Sequence, residues 1–166
     1  MSRLDSAIRR LSAQRACLDL AARLIADLPG PVLELGLGNG RSYDHLRARL
    51  PDREIFVFDR QVAAHPDCIP DPEHLILGDF RATLPAAAAR LAGRAALRAS
   101  LAHADFGSGD PTATAALAAF LGPAIRRLMA PGGIVVSDQP LAAPGLTELP
   151  PPEEVPAGRY FLYRAA

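Results

Sequence analysis

The chain has 166 residues, with 18 Lys plus Arg against 18 Asp plus Glu; the length suits one folded unit, and zero net charge gives no general grip on nucleic acid or anionic lipid. Every one of those basic side chains is Arg, which excludes a Schiff-base or phosphate-loop lysine, and Cys17 and Cys68 lack the spacing of a thiolate zinc site. The opening MSRLDSAIRR has no apolar leader core, and the longest plain apolar run, Ala115 to Leu121, is far too short for a membrane span, so a cytoplasmic protein is expected, with no membrane or nucleic-acid partner.

With 32 Ala and 24 Leu, helix is the favoured connecting element. Residues 2–28 read as an amphipathic helix, with Leu4, Ile8, Leu11, Leu18 and Ile25 at helical spacing and Pro29-Gly30-Pro31 as its stop. Val32 to Leu35 is a short apolar strand, followed by a glycine loop at Gly36 to Gly40 and a helix over 42–50. Ile55 to Phe58 predicts a second strand ending in Asp59, and the Pro-rich stretch His65 to Glu73 predicts a loop. Leu75 to Leu77 predicts a third buried strand ending in Gly78-Asp79. An Ala-rich helix is expected over 82–98, with a break at Pro85 or Gly93.

Residues 99–104 predict a fourth strand ending in Asp105, although Ala and Ser are poor strand formers. A helix over 112–129 with a kink at Gly122-Pro123 follows, then a turn at Pro131-Gly132-Gly133 and a fifth strand, Ile134 to Val136, ending at Ser137-Asp138. The segment 141–166 is Pro-rich, with short strands expected at 146–149 and 159–164. Residues 1–166 are thus expected to form a single domain, comprising an N-terminal helix (1–28), a core (30–140) and a Pro-rich loop with terminal strands.

Apolar strands without polar alternation, separated by helices, predict an α/β fold with a doubly wound, mostly parallel sheet and a reduced C-terminal part. Ligands of such sheets bind at the carboxyl ends of the strands. Those ends carry Gly36, Asp59, Asp79, Asp105 and Asp138.

The loop Glu34-Leu-Gly-Leu-Gly-Asn-Gly40 departs from the dinucleotide pattern GxGxxG, whose third glycine would fall at Arg41 or Tyr43. An acid just upstream suits an ammonium group better than a diphosphate. Asp59 can accept both hydroxyls of a ribose, Asp79 can accept an exocyclic amine, and Phe80 offers a flat apolar wall. Ribose, ammonium and aminopurine together describe S-adenosyl-L-methionine.

The chain resembles class I S-adenosylmethionine-dependent methyltransferases, and small bacterial members of unassigned substrate in particular. The resemblance rests on Glu34 to Gly40, Asp59, Gly78-Asp79-Phe80, Asp105, and Leu128-Met-Ala-Pro-Gly-Gly-Ile-Val-Val136, and covers residues 30–140. It implies a Rossmann-like methyltransferase fold and S-adenosyl-L-methionine as cofactor, with S-adenosyl-L-homocysteine as product. Gly36, Leu37, Gly38 and Gly40 would line the methionine part, and Glu34 would orient its ammonium group, often through water. Asp59 would bind the ribose, Asp79 the adenine amine beside Phe80, and Arg60 would lie over the adenine face.

The implied reaction is in-line methyl transfer to a small-molecule acceptor, with Asp105 nearest the methyl group as both cofactor-binding and catalytic residue, and Asp138 as its catalytic companion. Besides aminopropyl transfer, or methylation of a protein or RNA, on the same fold, two alternatives stay open at this point. One is a cofactor-binding module with little catalysis. The other is catechol-type O-methyl transfer assisted by magnesium, because Asp105 with Asp138-Gln139 is similar to that family's metal site. The segment Asp105 to Asp110 lacks the Asn/Asp-Pro-Pro-aromatic motif of amino-nucleobase methyltransferases. Tyr43 and His45 are expected to face either the cofactor or solvent, His103 to be structural, and His65 and His74 to sit in surface loops. The N-terminal helix is the expected lid, and a homo-oligomer is expected.

Overall fold

The computed structural model describes residues 2–95 and 98–166. Helix α1 (Arg3–Leu24) opens with a capping box, in which Ser2 Oγ accepts from the Asp5 amide at 3.0 Å and the Asp5 carboxylate accepts from the Ser2 amide at 2.9 Å. Strand β1 (Val32–Leu35), helix α2 (Arg41–Arg49) and strand β2 (Ile55–Asp59) follow, then a 3-10 turn at Pro66–Cys68 and strand β3 (Leu75–Leu77). Helix α3 (Phe80–Ala95), strand β4 (Ala99–Ala104), helix α4 (Pro111–Leu128) and strand β5 (Met129–Ser137) complete the alternation, and strands β6 (Leu146–Leu149) and β7 (Phe161–Ala165) close the chain. Asp110 caps α4 by accepting from Thr112 and Ala113, with Pro111 in the first turn, where its missing N–H costs nothing.

Among the described residues one sheet runs in the order β3-β2-β1-β4-β5-β7-β6, parallel throughout except for β7, which pairs antiparallel with both neighbours. Strand order reverses between β1 and β4, which opens a crevice at their carboxyl ends. Alternate residues serve opposite faces. Leu33, Leu35, Phe56, Phe58 and Val135 pack with Leu84 of α3 and Leu121 and Ile125 of α4. Val32, Val57, Leu101, Ile134 and Val136 pack with Leu18 of α1 and Leu46 of α2. Both faces are covered, which is why the strands read as unbroken apolar runs.

Several local expectations need correction. Helix α1 ends at Leu24, and its first turns leave Leu4 (68%) and Ile8 (54%) exposed. The stripe that meets β4 and β5 is Ala13, Gln14, Cys17, Leu18 and Ala21, from the half of the helix that lies over the sheet. Strand β3 is not buried: it is the sheet edge, and Leu77 is 52% exposed. Helix α3 starts at Phe80 and continues through Pro85 and Gly93; the expected extension to residue 98 crosses positions outside the described residues. Helix α4 carries Gly122-Pro123 inside it, so the kink expected there does not end the helix. The Pro131-Gly132-Gly133 turn lies inside β5, where the register against β4 shifts between Ala99 and Leu101. That shift lets a turn-like tripeptide stay within a ladder.

Among the described residues no helix is long and apolar enough to cross a membrane. Cys17, wholly buried on the sheet-facing side of α1, has its thiol pushed up to about 12, by burial first and the Glu154 carboxylate second, whereas Cys68 is only partly buried. Thiolate character and access control reactivity. The native protein is therefore expected to show one fast thiol, Cys68, to a chromogenic disulfide reagent, and two in urea. Rapid reaction of Cys17 without denaturant would mean that α1 does not stay packed on the sheet.

Candidate functional site

The glycine loop turns from β1 into α2 at the crevice between β1 and β4. Gly36 has φ +96°, and a Cβ on it would lie 2.4 Å from the carbonyl oxygen of Asp105, so only glycine lets the two strand ends approach this closely. Gly38 has φ +50°, and a Cβ there would meet nothing within 4 Å. The loop is thus tight against the protein at Gly36 and bare toward open space at Gly38.

Asp59, at the end of β2, holds this loop. Its Oδ2 accepts from the amides of Leu37 (2.7 Å) and Gly38 (3.3 Å), and its Oδ1 accepts from those of Arg60 (2.6 Å) and Gln61 (3.3 Å). Two of these bonds are long for N–H···O, so their lone pairs are the ones a ligand hydroxyl can compete for. Arg60 pairs with Asp79 at 2.9 Å, and Asp79 also accepts from the Arg81 amide at 2.8 Å. That backbone bond, with Arg60 beside it, holds the Asp79 carboxyl below the usual carboxylate value.

Two cavities share Gly36, Gly38, Asp105, Gly107 and Ser108 as common walls. One, of roughly 480 Å³, is bounded further by Arg10, Gln14, Leu37, Ser42 and Gln139. The other, of roughly 550 Å³, is bounded by Asp59, Arg60, Phe80, Phe106 and Leu117. Together they form one cleft along the carboxyl ends of β1, β2, β4 and β5, and its dimensions suit a cofactor-sized ligand.

Beneath the cleft lies a buried polar cluster. Glu34 and His103 are register partners on β1 and β4, and both are fully buried on the face covered by α1 and α2. His103 Nδ1 stands 2.8 Å from Glu34 Oε2, and Ser42 Oγ donates to Glu34 Oε1. Gln14 reaches in from α1; its amide nitrogen donates to Asp105 Oδ2 at 2.9 Å and to Tyr160 Oη at 2.8 Å, and lies 3.4 Å from His103 Nε2. Tyr160 stacks on His103 with ring centroids 6.2 Å apart. Burial opposes charge on His103, but the Glu34 carboxylate, with Asp105 and Asp138 beyond it, outweighs burial and lifts the imidazole above its usual value.

The structure thus brings Gly36, Leu37, Gly38, Asp59, Arg60, Phe80 and Asp105 to the cleft, with Asp79 beside Phe80 and paired to Arg60. Gly40 packs behind the loop, where a Cβ would meet that of Cys68 at 2.4 Å. Glu34 is not at the cleft surface. Its oxygens are held by His103 and Ser42, and it is Ser42 that reaches the cavity. Asp105 also accepts from Arg10 at 3.0 Å, while its Oδ1 has no hydrogen-bond partner among the described residues.

Asp138 accepts from the amides of Phe106 (3.0 Å) and Gly107 (2.9 Å) and from Gln139 Nε2 (3.0 Å). Burial raises its carboxyl above the ordinary value; Asp105 adds to this, and the three donors only partly offset it. This pair does not fit magnesium. Three N–H donors already engage both Asp138 oxygens, a guanidinium stands on Asp105, and no group of three His, Cys, Asp or Glu among the described residues is placed to hold an ion.

His103 is structural, as the sequence suggests. Tyr43 and His45 line neither of the two cavities; Tyr43 lies under Arg47 at 5.4 Å and His45 against Asp19 at 3.0 Å. His74 lies in the turn before β3 and packs on Phe56 at 5.2 Å between Asp71 and Glu54. Arg10, Gln14, Ser42 and Tyr160 were not singled out from sequence. Gln14 had a signal, as a polar residue on the apolar stripe of α1.

A family model described as S-adenosyl-L-methionine methyltransferase matches residues 1–165. The S-adenosyl-L-methionine methyltransferase of Silicibacter pomeroyi DSS-3 is 47% identical with a TM-score of 0.90, over 100% of this chain and 99% of that one. TrmN from Thermus thermophilus has a TM-score of 0.55 at 18% identity, over 89% of this chain and 48% of that one. MycE of the mycinamycin biosynthetic pathway, crystallised with Mg and S-adenosyl-L-homocysteine, has a TM-score of 0.54 at 15% identity, over 89% and 44%. The last two share the fold. No curated protein matches significantly.

Proposed function

The chain belongs to the S-adenosyl-L-methionine methyltransferase family, and from that premise we propose that its cleft carries a methyl group from S-adenosyl-L-methionine to a small-molecule acceptor. The cofactor supplies both the methyl electrophile and the leaving group, which leaves the protein chiefly with binding and alignment. The observation that carries the reading is the bare, outward-facing Gly38 between two joined cavities, with Asp59 holding the loop from below.

In this reading Gly36, Leu37 and Gly38 lie along the methionine part, and Gly40 keeps the turn into α2 close. Glu34 acts through Ser42, whose hydroxyl it orients toward the cavity. Asp59 receives the ribose hydroxyls in place of its two 3.3 Å amide bonds. Phe80 forms the adenine wall, Asp79 takes the amine, and Arg60, anchored to Asp79, covers the ring.

Asp105 Oδ1 has no hydrogen-bond partner among the described residues, so it is the group available to accept a hydrogen bond from the cofactor or a proton from the acceptor. Arg10 and Gln14 fix its other oxygen, so that the free one keeps a single direction. Asp138 holds the loop after β4 through the Phe106 and Gly107 amides. Burial, with Asp105 close by, raises its carboxyl above the ordinary carboxylate value at that same rim.

Asp59→Ala tests the assignment. Calorimetry with S-adenosyl-L-homocysteine is expected to show binding weakened by roughly 1–3 kcal/mol, about five- to 150-fold. Because Asp59 also braces the loop, adenosine and 2′-deoxyadenosine should be compared as well. The wild type is expected to prefer adenosine, and the variant to lose the preference. Unchanged affinity, or a preference that survives in the variant, removes Asp59 from the ribose.

A further inference from the structure

A third cavity, of roughly 470 Å³, opens beside the cleft between α4 and the segment that follows β5. Pro111, Ala115, Ala118 and Ala119 of α4 form one wall, and Pro140 and Ala142 form part of the other. The spacing of the four α4 residues is one stripe of the helix, kept low by alanine, so the groove exists because these side chains are small. Among the described residues no ionisable side chain lines it.

Its inner end is polar and continuous with the cofactor cleft. Ser108 borders all three cavities, Gln139 borders this one and the Arg10–Gln14 cavity, and Thr114 borders this one and the Asp59–Phe80 cavity. Ser108 Oγ and Thr114 Oγ1 are bonded to each other at 3.0 Å. Gln139 donates its amide to Asp138, which turns its carbonyl oxygen away from that carboxylate; the oxygen has no hydrogen-bond partner among the described residues. The groove thus offers apolar walls, one free acceptor atom at its inner end, and no counter-charge.

Resting on the methyl-transfer reading above, we propose that this groove is the acceptor subsite and that it takes an uncharged, largely apolar small molecule. Such a molecule carries one hydroxyl or amine hydrogen, which it donates to Gln139 Oε1 while its bulk lies along the alanine stripe. A carboxylate, a phosphate or an ammonium group placed there loses water and gains no opposite charge, a penalty that excludes nucleotides and polyamines from this groove. In the transfer, the acceptor oxygen or nitrogen forms a bond to the methyl carbon as the carbon–sulfur bond breaks. The electron pair stays on sulfur as the neutral thioether, and the acceptor's proton passes to a carboxylate at the rim or to water.

The test uses three probes that share one naphthalene body, 2-naphthol, 2-naphthoate and 2-naphthylmethylammonium, against the full chain saturated with S-adenosyl-L-homocysteine. Saturation-transfer NMR is expected to show 2-naphthol binding about tenfold or more tighter than either charged probe. Ala119→Trp, on the groove wall and outside the cofactor cavities, is expected to abolish that binding with S-adenosyl-L-homocysteine affinity unchanged. Ala115→Phe serves as a second filling variant should the first misfold.

A charged probe that binds as well as 2-naphthol overturns the proposal, as does 2-naphthol binding that is absent or indifferent to both variants. Failure of S-adenosyl-L-homocysteine to bind the wild type would instead overturn the methyl-transfer reading itself, which keeps the two distinguishable.

Discussion

Urea denaturation of the Glu34→Ala variant is expected to show a loss of about 3–5 kcal/mol in unfolding free energy. That is a large part of the 5–15 kcal/mol, roughly, that holds a typical domain together. Glu34 is wholly buried between β1 and the helices that cover it, and it is the partner of both His103 Nδ1 and Ser42 Oγ. Truncation strips these groups of their acceptor where water does not reach, and removing one member of a buried pair costs more than the pair contributes. Glu34→Gln keeps one carbonyl for His103, and its amide can donate to Ser42, so it should lose distinctly less.

The loss has a pH signature. His103 titrates above its usual value because Glu34 stands against it, so this contribution is complete below the ordinary histidine value of 6.5 and fades as pH rises through the folded value. Without Glu34 the lift is gone. The difference between wild type and Glu34→Ala should therefore be largest in mild acid and should shrink in alkali toward the cost of the unmade hydrogen bonds. A difference under about 1 kcal/mol, or one that grows with pH, would mean that the cluster does not carry the stability assigned to it.

The same residue shows how far the sequence could be read. Strands β1, β2, β4 and β5 were legible because both faces of the sheet are covered, which leaves apolar runs without alternation. The strand-end residues Gly36, Asp59, Asp105 and Asp138 were legible because a parallel sheet delivers its carboxyl ends to one rim. The sequence suggests that Glu34 orients the ammonium group, often through water, because it adjoins the glycine loop. Strand parity puts it elsewhere: it shares the face of Val32, not of Leu33 and Leu35, and so points under α1 and α2.

Gln14, Ser42 and Tyr160 acquire their roles only when three distant segments pack over one cross-strand pair. No local pattern encodes that meeting. The strand at Leu75 to Leu77 forms where expected, but its expected burial does not hold, since composition marks a strand but not its place at the sheet edge.

The loop supplies the second large effect. Gly38→Val is expected to give a folded protein that has lost affinity for S-adenosyl-L-homocysteine by about a hundredfold or more, with methyl transfer lost alongside. A valine at φ +50° pays roughly 1–2 kcal/mol in backbone strain, which a domain of ordinary stability tolerates. Its Cβ meets no protein atom within 4 Å, so the fold offers no steric objection. The two methyl groups then occupy the space that the two cavities share.

Gly36→Val makes the contrast, because a Cβ there lies 2.4 Å from the Asp105 carbonyl and has to push β1 and β4 apart. Thermal melts and calorimetry on the two variants should therefore separate: Gly36→Val loses stability first, and Gly38→Val loses binding first. Wild-type affinity in Gly38→Val would place the cofactor away from this loop. A collapse of the fold in that variant would mean that the open space above Gly38 is occupied by the protein itself.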